Sequence, residues 1–244
     1  MHGAADNRRT VAVIPAAGAG VRMGTGRAKQ FLDLGGRPML AVTLEVFQEC
    51  RGVDAVVLVV PPEDVQTCLR EIVEPYKTTK VKKVIPGGAR RQDSVRLGIG
   101  ATEGAYETIL IHDGVRPLVS ADLVERMLEA AREHRAVVAA LPAKETVKEV
   151  DGDLFVSRTF QRRDVWMVQT PQVFRYEDIV EAHERALREG WEGVTDDALL
   201  MERMGVAVKV VEGSEENIKV TTPHDMDLAR FFLERRKPDA GGRG

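Results

Sequence analysis

Short apolar runs alternate with longer amphipathic stretches along almost the whole chain. The apolar runs are rich in valine and isoleucine and show no polar alternation, which is typical of strands buried on both faces of a sheet. They predict strands at residues 11–15, 55–60, 81–85, 108–111, 136–141 and 206–211. The amphipathic stretches predict helices at residues 39–49, 62–74, 93–102, 121–133, 176–189, 196–204 and 224–235.

This regular alternation of strands and helices predicts the α/β fold class. We expect a doubly wound, mostly parallel, Rossmann-like sheet whose ligands lie at the carboxyl ends of the strands. A chain of 244 residues is long enough for one large domain, which we place at residues 10–236. The polar start (residues 1–9) and the glycine-rich end (residues 237–244) are predicted to be disordered.

One region, residues 142–165, interrupts the alternation. Two short strand-like runs flank Asp151-Gly152-Asp153, and Asp-Gly is a strong hairpin signal. The hairpin is too polar for a core position, so we interpret it as a projecting β-arm for dimerisation, because an isolated hairpin is marginal alone. A surface flap without a partner is the alternative.

Composition and charge narrow the classes of ligand and compartment. The net charge is −3, which gives no reason to expect non-specific binding to nucleic acid or to an acidic membrane. With only two cysteines, no apolar run near the ~18 residues of a membrane span and no secretory h-region, we expect a soluble cytoplasmic protein. Any anionic ligand must be bound by a local group of basic residues, which indicates a small-molecule site.

The first predicted strand runs into the segment VIPAAGAGVRMGTGRAKQF. Its glycines let backbone N–H groups approach an anion closely, and Arg22 and Lys29 can neutralise phosphate charge. The segment lacks the Gly-Lys-Ser/Thr of a Walker loop, and its GxGxxxG spacing fits a dinucleotide fingerprint poorly. Taken alone, a tight turn that merely packs is the alternative to a phosphate-binding loop.

The motif PAAGAGVRMG…AKQF resembles the signature loop of sugar-phosphate and alditol-phosphate nucleotidyltransferases. Within that group, residues 11–232 closely resemble the family of 2-C-methyl-D-erythritol 4-phosphate cytidylyltransferases of the non-mevalonate isoprenoid pathway. Further motifs of that family follow in the expected order: PGGARRQDSV, HDGVRP, ETVK, QTPQVF, TDDA and ENIKVT. Several such motifs in one order are far more specific than any one of them.

The resemblance implies a nucleotide site built largely from backbone and small residues. It assigns nucleotide binding to Pro15, Ala16, Ala17, Gly18, Gly20, Gly87, Gly88, Ser94 and Gly114. In the family, the loop at Gly87 and Gly88 closes over cytosine together with Ser94, and Gly114 gives room for the ribose. Locally, Ser94 and Asp93 also fit helix N-caps. Ala89 departs from the acidic residue usual in the family, which puts only a side-chain role in doubt.

The resemblance also implies the catalytic and metal-binding residues. Arg22, Lys29 and Lys219 are expected to be catalytic, and Asp113 is expected to hold Mg²⁺ near the α-phosphate. One carboxylate together with phosphates and water suits magnesium, although a lone aspartate can also cap the next element. His112 has no suggested partner for base catalysis, so we expect a hydrogen-bonded histidine behind the site.

The implied acceptor site draws on residues that are far apart in the chain. Matching residues in the family bind the polyol phosphate with Thr146 and Arg162 of the arm, across a dimer interface. The resemblance also implies that Thr195 lies with Lys219 near the phosphates, whereas Arg116 fits a ligand contact and a structural ion pair equally well. Without the resemblance, Thr146 is an ordinary strand residue and Arg162 an ordinary solvated one.

The expected reaction joins CTP and 2-C-methyl-D-erythritol 4-phosphate, giving 4-diphosphocytidyl-2-C-methyl-D-erythritol and pyrophosphate. CTP is thus a substrate, Mg²⁺ is the cofactor, and the protein is expected to act as a homodimer without a nucleic-acid or membrane partner. The nearest alternative is a ribitol 5-phosphate cytidylyltransferase. A non-catalytic nucleotide-binding regulator is a third alternative, which the presence of Arg22, Lys29 and Asp113 disfavours.

Overall fold

A computed structural model of the protein describes residues 9–18 and 28–236. Most of the predicted disordered N-terminus, and the whole of the predicted C-terminal one, lie outside these ranges. The inclusion of Arg9 in the disordered N-terminus is wrong, because both backbone polar groups of Arg9 form hydrogen bonds. Its N–H donates to Glu107 Oε2 at 2.7 Å, and its carbonyl accepts from the N–H of Glu107 and of Thr108.

The main sheet contains seven strands of the described chain. In chain order they are β1 (Thr10–Pro15), β2 (Ala55–Val60), β3 (Val81–Pro86), β4 (Thr108–Ile111), β5 (Ala136–Pro142), β8 (Trp166–Arg175) and β9 (Val208–Glu212). Their spatial order is β3-β2-β1-β4-β8-β5-β9. Neighbouring pairs are parallel except for the two that involve β8, so the predicted mostly parallel sheet is confirmed.

Strand β8 is absent from the strands predicted by sequence. It runs antiparallel between β4 and β5, near the middle of the sheet. Its sequence, WMVQTPQVFR, mixes glutamines with apolar residues and contains Pro171, which normally argues against a central strand. The Thr170–Pro171 peptide bond is cis. The polar side chains of β8 form hydrogen bonds to loops at the edge of the sheet.

Helices flank the sheet in both layers. They are α1 (Met39–Glu49), α2 (Val65–Cys68), α3 (Arg91–Gly100), α4 (Ala121–Glu133), α5 (Tyr176–Glu189), α6 (Asp197–Arg203) and α7 (Pro223–Arg236). The single helix predicted at residues 62–74 is wrong in detail. The chain there forms a 3₁₀ turn at Pro62–Asp64, then α2, then a π-helical turn at Leu69–Val73.

Alternate residues of the strands pack into separate cores on the two faces. Ala12 and Ile14 of β1 face the core formed with α1 and α4, whereas Val11 and Val13 face the core formed with α3, α5 and α6. All six residues of β1 and of β2 are buried, as the apolar runs predict. A smaller cluster joins α7 to the start of α1.

The predicted hairpin is confirmed as a separate two-stranded sheet of β6 (Lys148–Val150) and β7 (Val156–Thr159). Asp151 Oδ1 accepts from the N–H groups of Asp153 and Phe155, which closes the turn. Both strands are exposed along their whole length. The role of this arm in dimerisation stays a prediction.

The carboxyl edge of the sheet brings the predicted site loops together. Strands β1 and β4 are parallel neighbours, so the loops that follow Pro15 and Ile111 lie side by side. The N–H of Gly114 donates to Pro15 O at 3.1 Å, and the N–H of Gly87 donates to Val60 O at 2.8 Å. None of the helices in the described ranges has the length and apolar character that a membrane crossing requires.

Candidate active site

Asp113 lies just past β4 and forms the centre of the candidate site. Its side chain is only 8% exposed. Arg91 Nε donates to Asp113 Oδ1 at 2.9 Å, and Lys219 Nζ lies 2.7 Å from Asp113 Oδ2. Arg116 Nε is 3.9 Å from the same Oδ2. Three cations, one from the start of α3, one from the loop of Asp113 itself and one from the loop before α7, therefore lie around one buried carboxylate.

Arg91 also joins Asp113 to a second buried carboxylate. Its Nη1 donates to Asp197 Oδ2 at 2.7 Å, and the Asp197 side chain is 1% exposed. His183 Nε2 lies 3.2 Å from the other oxygen of Asp197. The first turns of α3 and α6 are thus tied to the loop after β4 by one guanidinium.

The charges of this cluster control the protonation of both carboxylates. Burial by itself would raise the pKa of Asp113, but Arg91 and Lys219 outweigh it and hold that pKa well below its usual range. Burial would also raise the pKa of Asp197, but Arg91 and His183 together outweigh it and lower that pKa. Burial lowers the pKa of Arg116, which still remains protonated at neutral pH. Both carboxylates are therefore ionised at neutral pH.

A cavity of about 280 Å³ lies on one side of this cluster. It is lined by Pro15, Ala16, Ala17, Gly18, Lys29, Gln30, Gly88, Ala89, Arg90, Arg91, Ser94, Asp113, Val115 and Lys219. Most of the residues predicted to bind nucleotide, together with the predicted catalytic Lys29, are thus brought to one place. Arg22 and Gly20, also predicted for this site, lie outside the described residues.

A second cavity, of about 410 Å³, lies on the other side of the cluster. Its lining includes Arg116, Gln169, Thr170, Thr195 and Glu202. Arg91, Asp113 and Lys219 line both cavities, so they form the wall between them. Thr195 and Arg116, both predicted to bind the acceptor, face the larger cavity.

His112 lies behind Asp113 and is fully buried. Its Nε2 is 3.0 Å from Arg116 O, and its Nδ1 is 3.2 Å from Thr170 Oγ1. That hydroxyl also accepts the N–H of Asp113 at 3.0 Å. Burial lowers the pKa of His112 to about 4, so the ring is neutral at pH 7. The expectation of a hydrogen-bonded histidine behind the site is confirmed.

The polar side chains of β8 hold the two loops that complete the larger cavity. Gln172 donates from Nε2 to Asp196 Oδ2 at 2.7 Å and accepts from the N–H of Ala198. Gln169 donates from Nε2 to Ser214 O at 2.9 Å. The buried Asn217 donates to Thr170 O at 2.8 Å. These bonds fix the loop of Thr195 on one side and the loop of Lys219 on the other.

The start of α3 shapes the loop at Gly87 and Gly88. Ser94 Oγ accepts from the N–H of Gly88 at 3.1 Å and donates to Arg90 O at 3.2 Å. Arg90 is the N-cap residue, and its N–H donates to Asp93 Oδ2. The N-cap alternative for Ser94 and Asp93 is therefore wrong, because α3 begins two residues earlier than predicted. Ser94 instead holds the glycine loop closed.

Two glycines of the site allow close approach within the protein. A Cβ on Gly87 would lie 2.4 Å from Ala17 Cβ and 2.8 Å from Ser94 Oγ. A Cβ on Gly114 would lie 2.9 Å from Ala16 Cβ. Each glycine therefore lets its loop pack against the loop after β1. The contacts with a nucleotide predicted for these glycines stay predictions.

Two predicted acceptor residues are not brought to either cavity within a single chain. Thr146 is exposed in the segment before β6. Arg162 is exposed in a 3₁₀ turn after β7, where its Nη1 donates to Lys144 O at 3.0 Å. Neither residue lines one of the cavities described above. Their predicted contact with a substrate bound by another subunit stays a prediction.

Sequence reasoning did not identify Arg91, Asp197 or Gln172 as site residues. Arg91 lies within PGGARRQDSV, Asp197 within TDDA and Gln172 within QTPQVF, so the motifs contained the signal. Gln30, adjacent to Lys29, was also missed. It is fully buried in the lining of the smaller cavity, and neither polar atom of its side chain has a hydrogen-bond partner among the described residues.

A mostly parallel sheet with two cavities at its carboxyl edge, divided by a cationic wall, indicates a nucleotidyltransferase. The family model for 2-C-methyl-D-erythritol 4-phosphate cytidylyltransferase matches residues 10–235. The chain therefore belongs to this family of nucleotidyltransferases of isoprenoid biosynthesis.

Individual relatives agree with this assignment. The chain is 47% identical over 230 residues to the 2-C-methyl-D-erythritol 4-phosphate cytidylyltransferase of Geobacter metallireducens, covering 93% of this chain and 98% of that protein. It is 42% identical over 229 residues to the enzyme of the same name from Syntrophus aciditrophicus, covering 94% and 97%.

Solved structures give the same result at the level of the fold. The crystal structure of 4-diphosphocytidyl-2C-methyl-D-erythritol synthase from Anaerococcus prevotii aligns with a TM-score of 0.83 at 34% identity, covering 94% of this chain and 100% of that one. The cytidylyltransferase structure from Thermus thermophilus aligns with a TM-score of 0.74 at 36% identity, covering 93% and 99%.

Proposed function

We propose that the protein transfers the cytidylyl group of CTP to 2-C-methyl-D-erythritol 4-phosphate. The observation that carries the proposal is the wall of Asp113, Arg91 and Lys219 shared by two cavities. A transfer between two phosphorylated substrates needs one site for each substrate and positive charge where their phosphates meet.

CTP binds in the smaller cavity in this proposal. The loop after β1 and the loop closed by Ser94 supply backbone N–H and C=O groups, which suit the amino and carbonyl edge of cytosine. Lys29 lies in the same lining and is assigned to the triphosphate, together with Arg22. The polyol phosphate binds in the larger cavity, beside Thr195 and Arg116.

The reaction needs no general base from the protein. A phosphate monoester has its second pKa near about 6, so the acceptor is mostly a dianion at neutral pH. One of its oxygens forms the new bond to the α-phosphorus of CTP, and the bond from that phosphorus to the bridging oxygen breaks, releasing pyrophosphate. The neutral, hydrogen-bonded His112 has no proton-transfer task in this scheme.

Positive charge is the main contribution of the protein to this reaction. Two anions must approach each other, and charge must be stabilised as pyrophosphate leaves. Lys219 lies at the wall, where it can pair with phosphate oxygens from either cavity. Its side chain is 40% exposed, so its ammonium can leave the ion pair with Asp113 and bind a phosphate without a large desolvation penalty.

We propose Asp113 as the protein ligand of a Mg²⁺ ion. The chemistry of the site fits the ion, because Mg²⁺ is usually bound through one or two carboxylates, substrate phosphates and water. Each Asp113 oxygen accepts from one cation, and a carboxylate has about four lone-pair sites, so capacity for a metal remains. When bound, the ion would neutralise triphosphate charge.

A second copy of the chain completes the acceptor site in this proposal. The arm carries exposed apolar side chains, with Leu154 79% and Phe155 72% exposed, and Met167 at the start of β8 is 59% exposed. Such a surface is unusual on a monomer and favours a protein contact. A homodimer through the arm would bring Thr146 and Arg162 of one subunit towards the larger cavity of its partner. We place the enzyme in the cytoplasm, with no nucleic-acid or membrane partner.

The test is pyrophosphate release with CTP and Mg²⁺, with methylerythritol 4-phosphate and ribitol 5-phosphate offered in parallel. We expect fast release with the first polyol, slow release with the second, and a loss of roughly two to three orders of magnitude in Lys29→Ala. Fast release with ribitol 5-phosphate alone would overturn the acceptor. No release with either polyol would overturn the proposed reaction.

A further inference from the structure

The guanidinium of Arg91 is held from two sides by carboxylates that come from different parts of the chain. Nε donates to Asp113 Oδ1 at 2.9 Å and Nη1 donates to Asp197 Oδ2 at 2.7 Å. Because a guanidinium is planar and its donors form a rigid fork, two such bonds fix its plane as well as its position. Arg91 is thus held in one orientation before any substrate arrives.

The remaining edge of Arg91 is available to a ligand. Its Nη2 donates to no acceptor within the described part of the chain, and its side chain is 29% exposed. Asp113 and Asp197 are far more buried, at 8% and 1%. Arg91 lines both cavities, so the exposed part of the guanidinium faces the place where the two substrates would meet.

On the basis of the proposed function, we infer that Arg91 binds a phosphate group of the reacting substrates and that Asp197 is its positioning residue. Arginine is well suited to this task, since its remaining N–H groups can donate to phosphate oxygens while the others hold the carboxylates. Asp197 lines neither cavity, and its direct contact with a residue of the wall is the bond from Arg91 Nη1.

The balance of charge around Arg91 favours an anionic ligand. Among the described residues, the smaller cavity is lined by four cationic side chains and one carboxylate: Lys29, Arg90, Arg91, Lys219 and Asp113. The larger cavity is lined by three cations and three carboxylates, because Asp196 and Glu202 face it as well. The excess of positive charge around Arg91 therefore lies in the lining of the smaller cavity. A phosphate from either substrate would compensate this excess.

The test is a double-mutant cycle with Arg91→Lys, Asp197→Asn and the double variant, using pyrophosphate release. Lysine keeps the positive charge but lacks the planar set of N–H donors of the guanidinium. We therefore expect kcat to fall roughly 10²-fold in Arg91→Lys. Asparagine keeps the size of Asp197 but loses its charge, and we expect a loss on the order of 10-fold. The double variant should be close to Arg91→Lys alone, because Asp197 acts through Arg91.

Asp178→Asn is the matched control, because Asp178 accepts from Arg135 Nε at 2.8 Å and lines neither cavity. It should leave kcat unchanged, and thermal unfolding of each variant should show a folded protein at the assay temperature. Losses that multiply in the double variant, or full activity of Asp197→Asn, would overturn the positioning role. Full activity of Arg91→Lys would overturn phosphate binding.

Calorimetric titration with CTP and Mg²⁺ separates this inference from the proposed function. If the wild type binds CTP but releases no pyrophosphate, the proposed reaction is wrong. The binding of phosphate by Arg91 can still be tested through the affinity for CTP. A weaker affinity for CTP, or for the polyol phosphate in a parallel titration, in Arg91→Lys would then support phosphate binding, and unchanged affinities for both would contradict it. If folded Asp197→Asn binds CTP as the wild type does but has a lower kcat, positioning for the chemical step is supported.

Discussion

Lys219 Nζ lies 2.7 Å from Asp113 Oδ2, although the two residues are far apart in the chain. Asp113 follows β4 directly, whereas Lys219 comes from the loop between β9 and α7. The backbone bond from Val220 N to Val115 O, at 2.9 Å, lies beside this ion pair. The ion pair therefore joins two loops of the site, and it also holds a cation where phosphates are expected.

Replacing Lys219 by alanine should lower the rate far more than substrate affinity. The ammonium is expected to stabilise charge that develops as pyrophosphate leaves, and loss of one such donor costs roughly 10²- to 10³-fold in kcat. Lys209→Ala is the matched control, because Lys209 is an exposed residue of β9. Steady-state pyrophosphate release with CTP and the polyol phosphate measures both variants. Equal rates in the two would exclude Lys219 from the chemistry.

Gly87→Ala should weaken binding of CTP. The added Cβ would meet Ala17 Cβ at 2.4 Å and Ser94 Oγ at 2.8 Å, so the loop must move away from the loop after β1. Overpacking of this kind costs about 1–3 kcal/mol. If this cost opposes the loop conformation that binds CTP, the KM for CTP should rise roughly 5- to 150-fold.

Gly100→Ala provides the comparison for Gly87→Ala, because a Cβ at Gly100 meets nothing within 4 Å. Its KM for CTP should stay at the wild-type value. The same result for Gly87→Ala would mean that the close approach of the two loops does not matter for nucleotide binding. Thermal unfolding of both variants separates a local shift of the loop from a general loss of stability.

Thr195→Val should weaken binding of the polyol phosphate and leave binding of CTP unchanged. Thr195 lines only the larger of the two cavities, and its loop is fixed by Gln172 through Asp196. The loss of one hydrogen bond to a charged group costs about 1.5–3 kcal/mol, or roughly 10- to 150-fold in KM for the acceptor. The KM for CTP in the same assays is the internal control. A rise in the KM for CTP instead would reverse our assignment of the two cavities.

The parallel part of the fold was predictable because its strands are continuous apolar runs. Strands β1 and β2 are fully buried, so their sequences contain few polar residues and their limits are clear. Strand β8 lies in the same sheet but was not predicted. Its Gln169 and Gln172 hold the loops of the site by hydrogen bonds. Because these polar residues interrupt the apolar run, the sequence pattern does not indicate a buried strand.

The residues of the site were predictable only where a motif assigned them a role. Asp113 and Lys219 come from separate motifs, and the structure brings them into direct contact. The importance of Arg91 depends on its distances to Asp113 and Asp197, which belong to distant segments. No spacing along the chain encodes such a three-way contact, so only the fold reveals it.

His112 should make the folded protein sensitive to mild acid. Burial lowers its pKa from 6.5 to about 4, whereas the unfolded chain titrates near the ordinary value. The unfolded state therefore binds more protons between these two pH values, and the free energy of unfolding falls as the pH falls from about 6.5 to about 4. The contribution amounts to about 3 kcal/mol at most.

Urea unfolding at several pH values between 7 and 4.5 tests this contribution. His112→Gln should be less stable at pH 7, because the bonds to Arg116 O and Thr170 are disturbed, but its stability should fall less steeply with acid. His224→Gln, at an exposed position, should keep the wild-type slope. A wild-type slope in His112→Gln would show that other groups cause the sensitivity to acid.

Phe155→Glu should separate the proposed dimer and reduce the affinity for the polyol phosphate. Phe155 is 72% exposed at the tip of the arm, so a charge there is harmless to a monomer but costly inside an interface. Light scattering should give twice the 26.9 kDa of one chain for the wild type and a single chain mass for the variant. The KM for the acceptor should rise, because Thr146 and Arg162 would no longer reach the partner's cavity.

Leu187→Glu, at a 58% exposed position on α5, should remain dimeric and active. If the wild type itself has the mass of one chain, the arm is a surface flap and Arg162→Ala should leave the affinity for the acceptor unchanged.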